Sequence, residues 1–559
     1  MKQLISLISA LFLITAISVA QTWDGSTSTD WHTASNWNTN SVPSSGANVV
    51  IPNVTNDPVI NSSDVTLNNL TINSGAVLTV QSGIGLKVDG TFSEGDDPER
   101  LVLESGAFFF YNGTGAYGTY KIAFDQDQWE FIIVPVENQL LGIFSGMYVK
   151  TFDEPTNSWE YLTNPNYPLG SFEGFAVFSN SSSDLPEFLE GKEKVKGSSY
   201  SGDATKSPSE ITVSGLFKTG SYSSGTLSYQ DEGWNLMGNP YPTTLDWDAS
   251  GGWTKNSTST TYFVWNGDPN NSNLGAYVYH KSPFFIFPAE GTADRYIAVR
   301  QAFIGQAGST SSSLGVNNSA KYFGSDFYWK VGQDIISSGI LKGVLESPTD
   351  GDYISFKVNW GDETNPYSNE VMFRFYNHAL VTFGYDLQAD VPWLPSETLS
   401  EVYICDASQN MLINTLDDYS DGTMATLGLA CDFSGTSEIS IWENEIDGDF
   451  DVKLFDTKTH SYHYLTASDY SFSHTPLDNP VRFRIIFEDN SKSSEIITDE
   501  MDMQELSSGK FQLLNLMGQV VNGKIYQNIK EIREDQTLNS EIYLVIDKNS
   551  GKSQKILIK

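Results

Sequence analysis

Leu70-Thr-Ile-Asn-Ser-Gly-Ala-Val-Leu-Thr-Val80 and Leu101-Val-Leu-Glu-Ser-Gly-Ala-Phe-Phe-Phe-Tyr111 read alike: a short apolar strand, a Ser-Gly-Ala turn and a second strand. Segments of this kind, β-branched or Leu-rich and bounded by Asn, Ser and Gly, begin at Val65 and recur through the first hundred residues. A recurring strand-turn unit is how a β-solenoid coil reads. A small antiparallel sandwich is the alternative, and either way residues 21–116 predict an all-β N-terminal domain.

Outward from there a second duplication follows. Trp129-Glu-Phe-Ile-Ile-Val-Pro135 and Trp234-Asn-Leu-Met-Gly-Asn-Pro240 share their Trp-to-Pro spacing. Each is followed by a Tyr-containing strand (Tyr148-Val-Lys-Thr-Phe152; Tyr262-Phe-Val-Trp-Asn266) and a Phe-rich one (Gly174-Phe-Ala-Val-Phe178; Pro283-Phe-Phe-Ile-Phe287). Proline ends each ladder because it has no N–H to donate. Residues 117–304 therefore predict two related β units, or two halves of one sandwich. Gly305 to Ser319, rich in Gly, Ser, Ala and Asn, reads as a flexible joint and gives a linker over 305–325. Regular short strands separated by turn residues make 326–489 a sandwich or jelly roll. A polar linker over 490–498 then leads to a last module, 499–559.

The 559 residues carry a net charge of −37 and a pI near 4.3. Such an excess of carboxylates repels phosphate backbones, which are held by Lys and Arg, and argues against a nucleic-acid partner. The tail differs: 499–559 hold eight basic and nine acidic groups, against 23 and 60 in 21–498. At the other end Lys2, the apolar run Leu4 to Ala16 and the small residues of Ser18-Val-Ala20 predict a signal peptide over 1–20, cleaved before Gln21. That run falls short of the roughly 20 residues that span a bilayer, and no other segment reaches that length. Export permits a bridge between Cys405 and Cys431, both in expected strands of one sandwich.

Chemical motifs are sparse. Gly518-Gln-Val-Val-Asn-Gly-Lys524 has phosphate-loop spacing, but Ile525 stands where a Ser or Thr would hold Mg²⁺, so the stretch reads as strand, turn, strand. The nucleophile elbow of acyl-transfer enzymes, His-Glu-x-x-His and Cys-x-x-Cys do not occur in the sequence. His460 and His463 would point to opposite faces of a strand and read as surface ladder residues. Asp447, Asp449 and Asp451 alternate in a way that suits Ca²⁺, though without a later bidentate Glu the run reads better as an acidic turn, and no cofactor is expected. Trp253, Trp265, Trp360 and Trp393 are candidates for a sugar-stacking platform, with core burial as the stronger reading.

The tail carries the most specific resemblance. Phe511-Gln-Leu-Leu-Asn-Leu-Met-Gly-Gln-Val-Val521, Glu541-Ile-Tyr-Leu-Val-Ile546 and Lys555-Ile-Leu-Ile-Lys559 resemble the type A C-terminal sorting domain of the type IX secretion system. Glu541 stands where that family usually has Gly, and Ile496-Ile-Thr-Asp-Glu500 replaces its opening Tyr-Pro-Asn-Pro strand. The resemblance implies a small β-sandwich whose sorting signal comprises Asn515, Leu516, Gly518, Gln519, Tyr543, Leu544, Val545, Lys555, Ile556 and Lys559. It also implies export across the outer membrane of a Gram-negative bacterium, with the secretion machinery as partner and surface lipopolysaccharide as an anchor for some members. Thr22-Trp-Asp-Gly25, Ser35-Asn-Trp-Asn38 and Gly233-Trp-Asn-Leu-Met-Gly-Asn-Pro-Tyr-Pro242 are similar to stretches in large surface proteins carried by that system. The expected function is a non-catalytic structural or adhesive protein of the cell surface. The alternatives are a secreted carbohydrate-active enzyme and a glycan-binding protein, which fold alone does not separate.

Overall fold

The computed structural model describes residues 20–182, 189, 192–197, 206–268, 271–282, 290–291, 295–324, 352–360, 367–376, 381, 384–395, 400–416, 422, 424–446, 450–489, 510–514, 520–527, 529–533, 535, 537–538, 542–547 and 553–557. All of the expected signal peptide but Ala20, and the expected linker 490–498, lie outside them. The fold is all-β, in several sheets. Among the described residues no helix is long and apolar enough to cross a membrane.

The N-terminal strands are parallel, which decides between solenoid and antiparallel sandwich. One sheet runs through Gln21–Thr22, Ala47–Ile51, Val65–Ile72, Gly85–Val88 and Phe108–Tyr111. The other runs through Val59–Ile60, Leu78–Val80, Leu101–Leu103 and Tyr117–Ala123. The chain alternates between them, so each coil lays one strand on each sheet. Val65 lies opposite Leu86 and Gly85 opposite Phe108, a coil of 21 to 23 residues. The two matching sequence segments thus turn at opposite corners of the coil, from the first sheet to the second at Ser74-Gly-Ala76 and from the second back to the first at Ser105-Gly-Ala107. Gly75 and Gly106 both sit at φ +83°, open to glycine at little cost, and Ala76 and Ala107 are fully buried beneath them. Val65, Leu67, Leu70 and Ile72 turn inward along Val65–Ile72, the alternation being reset by an irregularity at Asn68 and Asn69. Trp23, Trp31 and Trp37 belong to the same core, with ring centroids 4.7–6.4 Å apart. The expected boundary at 116 moves outward, because Tyr117–Ala123 is still a solenoid strand; the antiparallel strand Glu210–Leu216 covers its free edge.

The Trp-to-Pro duplication is a duplication of topology. In the first copy Trp129–Ile132 pairs with Phe175–Phe178, which pairs with Tyr148–Asp153, which closes a hairpin with Ser158–Tyr161. In the second copy Trp234–Gly238 pairs with Ala302–Ala307, then Thr258–Asp268, then Asn271–Lys281. The place of Phe175–Phe178 is therefore filled by Ala302–Ala307; Pro283–Phe287, assigned that place from sequence, lies outside the described residues. The expected linker 305–325 is likewise corrected. Its first residues finish a central strand, and Ser313–Val316 pairs with Trp253–Asn256 and Tyr222–Ser223, with Leu314 and Val316 buried.

The two sheets face each other. Strand alternation sends Trp129, Phe131, Tyr148 and Phe178 of the first sheet, and Trp234, Phe263 and Tyr279 of the second, into one shared core. Val149, Phe175 and Val177 point the other way and join the solenoid core. Tyr262, Val264 and Val278 join a third core with Trp247 and Leu314. Residues from the next region, Tyr353, Met372, Val391 and Ile413, complete the shared core. The expected separate domains are thus one body with continuous interiors.

That next region is a single large sheet in the order Ser461–Tyr464, Phe450–Asp456, Val481–Asp489, Met424–Ala430, Glu401–Ile404, Met411–Leu416, Tyr367–Phe375, Asp352–Trp360, Gly435–Asn444, Tyr470–His474. Its two end strands are consecutive in the chain, and the Tyr470 hydroxyl donates to Asp456 at 3.0 Å, so the sheet is rolled as the sandwich reading requires.

Two compact units result, one from residues up to 419 with 425–446 and 454–485, the other from 420–424, 447–453 and 486–559. In the tail, Val520–Tyr526, Phe511–Leu514, Ile542–Asp547 and Ser553–Leu557 form one antiparallel sheet in that order. The expected small sandwich is, among the described residues, this single sheet and a short helix, Ile529–Arg533, whose Ile532 joins Phe511, Leu513, Tyr526 and Val545 in a small core.

Candidate functional site

Against the shared core between the two repeat sheets packs a cluster of half-buried rings drawn from both sheets. In the first sheet, register sets Phe131 opposite Ala176, Ala176 opposite Lys150, Lys150 opposite Tyr161 and Phe152 opposite Trp159. Side chains directly opposite on one face lie close enough to touch, so Phe131, Lys150, Phe152, Trp159 and Tyr161 share a surface. The hairpin's tight connection, Asp153 to Asn157, is set by Asn157 in the left-handed region at φ 48° and by Thr156 donating to Asp153 at 2.5 Å. Trp265 and Tyr277, opposite each other on the second sheet, supply the other wall.

The rings form a continuous chain. Phe152 to Trp159 is 5.3 Å, Trp159 to Phe131 is 5.4 Å, Phe131 to Tyr277 is 6.1 Å and Tyr277 to Trp265 is 5.1 Å between centroids, with Phe131 and Trp265 stacked at 6.4 Å. Phe152, Trp159, Tyr161, Trp265 and Tyr277 all keep part of their surface accessible. The Lys150 ammonium sits 4.0 Å from the Trp129 ring centre and 5.2 Å from that of Trp159, a cation–π geometry. Lys192 and Lys194 lie over Tyr161 and Tyr148, each at 5.2 Å. Flat apolar faces with cations along one side can bind a ligand that is apolar on its faces and polar on its rim.

Of the four tryptophans singled out from sequence, only Trp265 belongs to this ring cluster. Trp360 is buried, donating to Asn369 at 2.6 Å. Trp393 stacks on Tyr403 at 4.2 Å, and Trp253 packs edge-on against Trp247 at 4.9 Å. Sequence reading missed Phe131, Lys150, Phe152, Trp159, Tyr161 and Tyr277. The signal was there in the paired alternation Lys150-x-Phe152 and Trp159-x-Tyr161 across a Pro-Thr-Asn turn.

Polar clusters elsewhere do structural work. Asp248 accepts from Ser282 at 2.5 Å and meets His280 Nε2 at 2.9 Å. Serine and histidine both point at the carboxylate, so the hydroxyl is engaged by an acid rather than by a base that would activate it. Beside them Lys255 donates to the Trp247 carbonyl at 2.9 Å, and burial pushes its ammonium down to about 7 against the pull of Asp248 and Asp246. Buried Arg300 reaches Glu130 at 3.3 Å, and buried Arg482 holds Asp456 through two nitrogens at 3.1 and 2.8 Å.

The remaining sequence candidates scatter. Asp447 and Asp449 lie outside the described residues and Asp451 sits on Phe450–Asp456; among the described residues no group of three His, Cys, Asp or Glu is placed to hold a metal. His463 is a half-buried hairpin residue against the Ser468 carbonyl at 2.7 Å, and His460 occupies the turn before it at φ 56°. The cysteine bridge is not made, and both thiols are free. Glu401 pairs with Ala430 and Ile404 with Leu427, so Cys405 and Cys431 extend opposite ends of one antiparallel ladder. At about 3.3 Å per residue their Cα atoms stand roughly 16 Å apart, against a limit of about 7 Å. Burial pushes the two thiols up to about 12 and about 11, which makes them poor nucleophiles. In the tail, Tyr543, Leu544 and Val545 lie on the inner strand Ile542–Asp547, and Lys555 and Ile556 on Ser553–Leu557. Asn515, Leu516, Gly518, Gln519 and Lys559 lie outside the described residues.

No curated protein and no solved structure matches the chain. A family model described as a domain of unknown function, DUF8693, matches residues 22–487, which takes in the solenoid, both repeat sheets and all but the end of the rolled sheet, and leaves out the tail. The chain belongs to the DUF8693 family.

Proposed function

We propose that this is a non-catalytic adhesive protein of the cell surface, exported by a type IX system through its tail, whose body holds extracellular glycans on the aromatic cluster. The observation that carries the reading is the chain of rings from Phe152 through Trp159 and the buried Phe131 to Tyr277 and Trp265, of which all but Phe131 keep part of their surface accessible. Pyranose rings present flat C–H faces rimmed by hydroxyls, and such faces pack on aromatic side chains whose neighbours can donate hydrogen bonds. Export is supported by the tail's resemblance and by its separateness: it has its own core, a near-neutral charge, and lies beyond the family match. Within the tail, Ser553–Leu557 pairs only with Ile542–Asp547 among the described residues. An edge of this kind suits strand addition by a partner.

Affinity electrophoresis of the full chain through gels cast with soluble polysaccharides tests the binding function. Retardation by at least one polymer is expected, with Trp159→Ala reducing it about tenfold while leaving the unfolding midpoint within a few degrees. Free migration through neutral and acidic polymers alike would overturn the glycan reading.

A further inference from the structure

We propose that Tyr296 and Tyr322 form a site of oxidative cross-linking, where a peroxide acting through a one-electron peroxidase joins the two rings as dityrosine. The inference is independent of the glycan reading and uses none of its residues.

Strand register brings the pair together. Thr244–Asp246 is the middle strand of a small antiparallel sheet, with Tyr296 opposite Asp246 on one side and Tyr322 opposite Thr244 on the other. Residues directly opposite share a face, and so do positions two apart along a strand. Both tyrosines therefore rise from the same face. It is the outer one, because the neighbouring Leu245 and Ile297 turn the other way and are fully buried. The rings meet over the middle strand with centroids 4.3 Å apart and planes 30° from parallel, and the Tyr322 side chain is in hydrogen-bonding reach of the Tyr296 hydroxyl. Rings stacked with their oxygens together place the carbons ortho to each oxygen side by side. Tyr322 is 37% exposed and Tyr296 is half-buried, so an oxidant at the surface reaches the pair. Tyr222 and Tyr241 make the contrast: they stand 5.5 Å apart, and Tyr241 is fully buried with its hydroxyl donated to the Gly220 carbonyl at 2.7 Å.

Each phenol gives up one electron and one proton and becomes a phenoxyl radical, whose unpaired electron is shared with the ortho carbons. Two such carbons form one carbon–carbon bond. The hydrogens they carried then move to the oxygens as both rings regain aromaticity. The chain loses two hydrogen atoms in all, and the peroxide takes up the two electrons and two protons and leaves as two waters. The new bond closes a loop from Tyr296 to Tyr322 that contains the paired strands Ala302–Ala307 and Ser313–Val316. A closed loop restricts the unfolded chain, as a disulfide does, so the linked protein melts higher.

The test treats the dilute full chain with hydrogen peroxide and a plant peroxidase, isolates the monomer, and maps its peptides by mass spectrometry. A tyrosine dipeptide coupled in the same tube shows that the oxidant is active. The expected product joins the peptides bearing Tyr296 and Tyr322, lighter than their sum by two hydrogen atoms, with its yield falling about tenfold or more in Tyr322→Phe. Phenylalanine keeps the ring and removes only an exposed hydroxyl, and Tyr296→Phe gives the same comparison from the other side. Absence of the joined peptide while the dipeptide couples, an equal yield in both variants, or linkage only between separate chains would overturn the site. A linked monomer that melts no higher than the unlinked one would overturn its stapling role.

Discussion

Glu154 ends the strand that carries Lys150 and Phe152, and its carboxylate gathers the loop that precedes the second repeat. It accepts from the Ser228 hydroxyl at 2.6 Å and from the N–H groups of Gln230, Asp231 and Gly233 at 2.7–2.9 Å. Burial alone would raise its pKa, but these donors outweigh burial and hold it below the usual range. Glu154→Gln turns an amide N–H₂ towards N–H donors, and a loss of about 2–4 kcal/mol is expected in urea unfolding. Because the folded value is depressed, this contribution is present at neutral pH and is lost as pH falls through it. Lys218 works in the opposite sense. It is 2% exposed, donates to the Ser171 carbonyl at 3.1 Å, and burial pushes its ammonium down to about 8 despite Glu137 and Glu173. Between pH 8 and about 10.5 the unfolded chain binds the extra proton, so stability rises with pH in that window, by on the order of 3 kcal/mol. Lys218→Met is expected to flatten that rise in a series of thermal melts.

Among elements, the Gly-Ser-rich stretch after Ala302 shows what composition conceals. Small residues there reflect close approach rather than freedom. A Cβ on Gly308 would stand 2.6 Å from Leu387 Cδ2 and 3.1 Å from the Ser257 carbonyl. In a linker Gly308→Ala would be silent or slightly stabilising; here a cost of about 1–3 kcal/mol is expected from overpacking, read as a lower denaturation midpoint. The solenoid was legible because its corner recurs as Ser-Gly-Ala with positive-φ glycines at Gly75 and Gly106, although parallel pairing was not, since strand direction leaves no local pattern. The ring cluster was legible only in half. Lys150, Phe152, Trp159 and Tyr161 can be paired across their hairpin by counting, but the second wall, Trp265 and Tyr277, comes from a distant hairpin that only tertiary packing brings near.

At the scale of the whole molecule, the tail differs from the body in charge and has a small core of its own. The acidic body has interiors that run from the solenoid through both repeat sheets into the rolled sheet, and the near-neutral tail has its own. Deleting 499–559 is therefore expected to leave the body's near-UV signal intact while the product stays in the periplasm; removing only Lys555 to Lys559 should do the same if the edge strand Ser553–Leu557 is what the export machinery reads. Surface delivery without those residues would place the signal elsewhere in the tail.

Exposed rings also occur on the rolled sheet, where Trp442 is 50% exposed beneath Lys357 at 3.7 Å, so the position of bound glycan decides between faces. Hydrogen–deuterium exchange of the full chain with and without a retained polysaccharide locates it. Protection is expected in peptides covering 148–161 and 262–279, with the strand 435–444 unchanged. Protection centred on Trp442, or none in the hairpin that carries Trp159, would contradict the assignment of the ring cluster as the binding site.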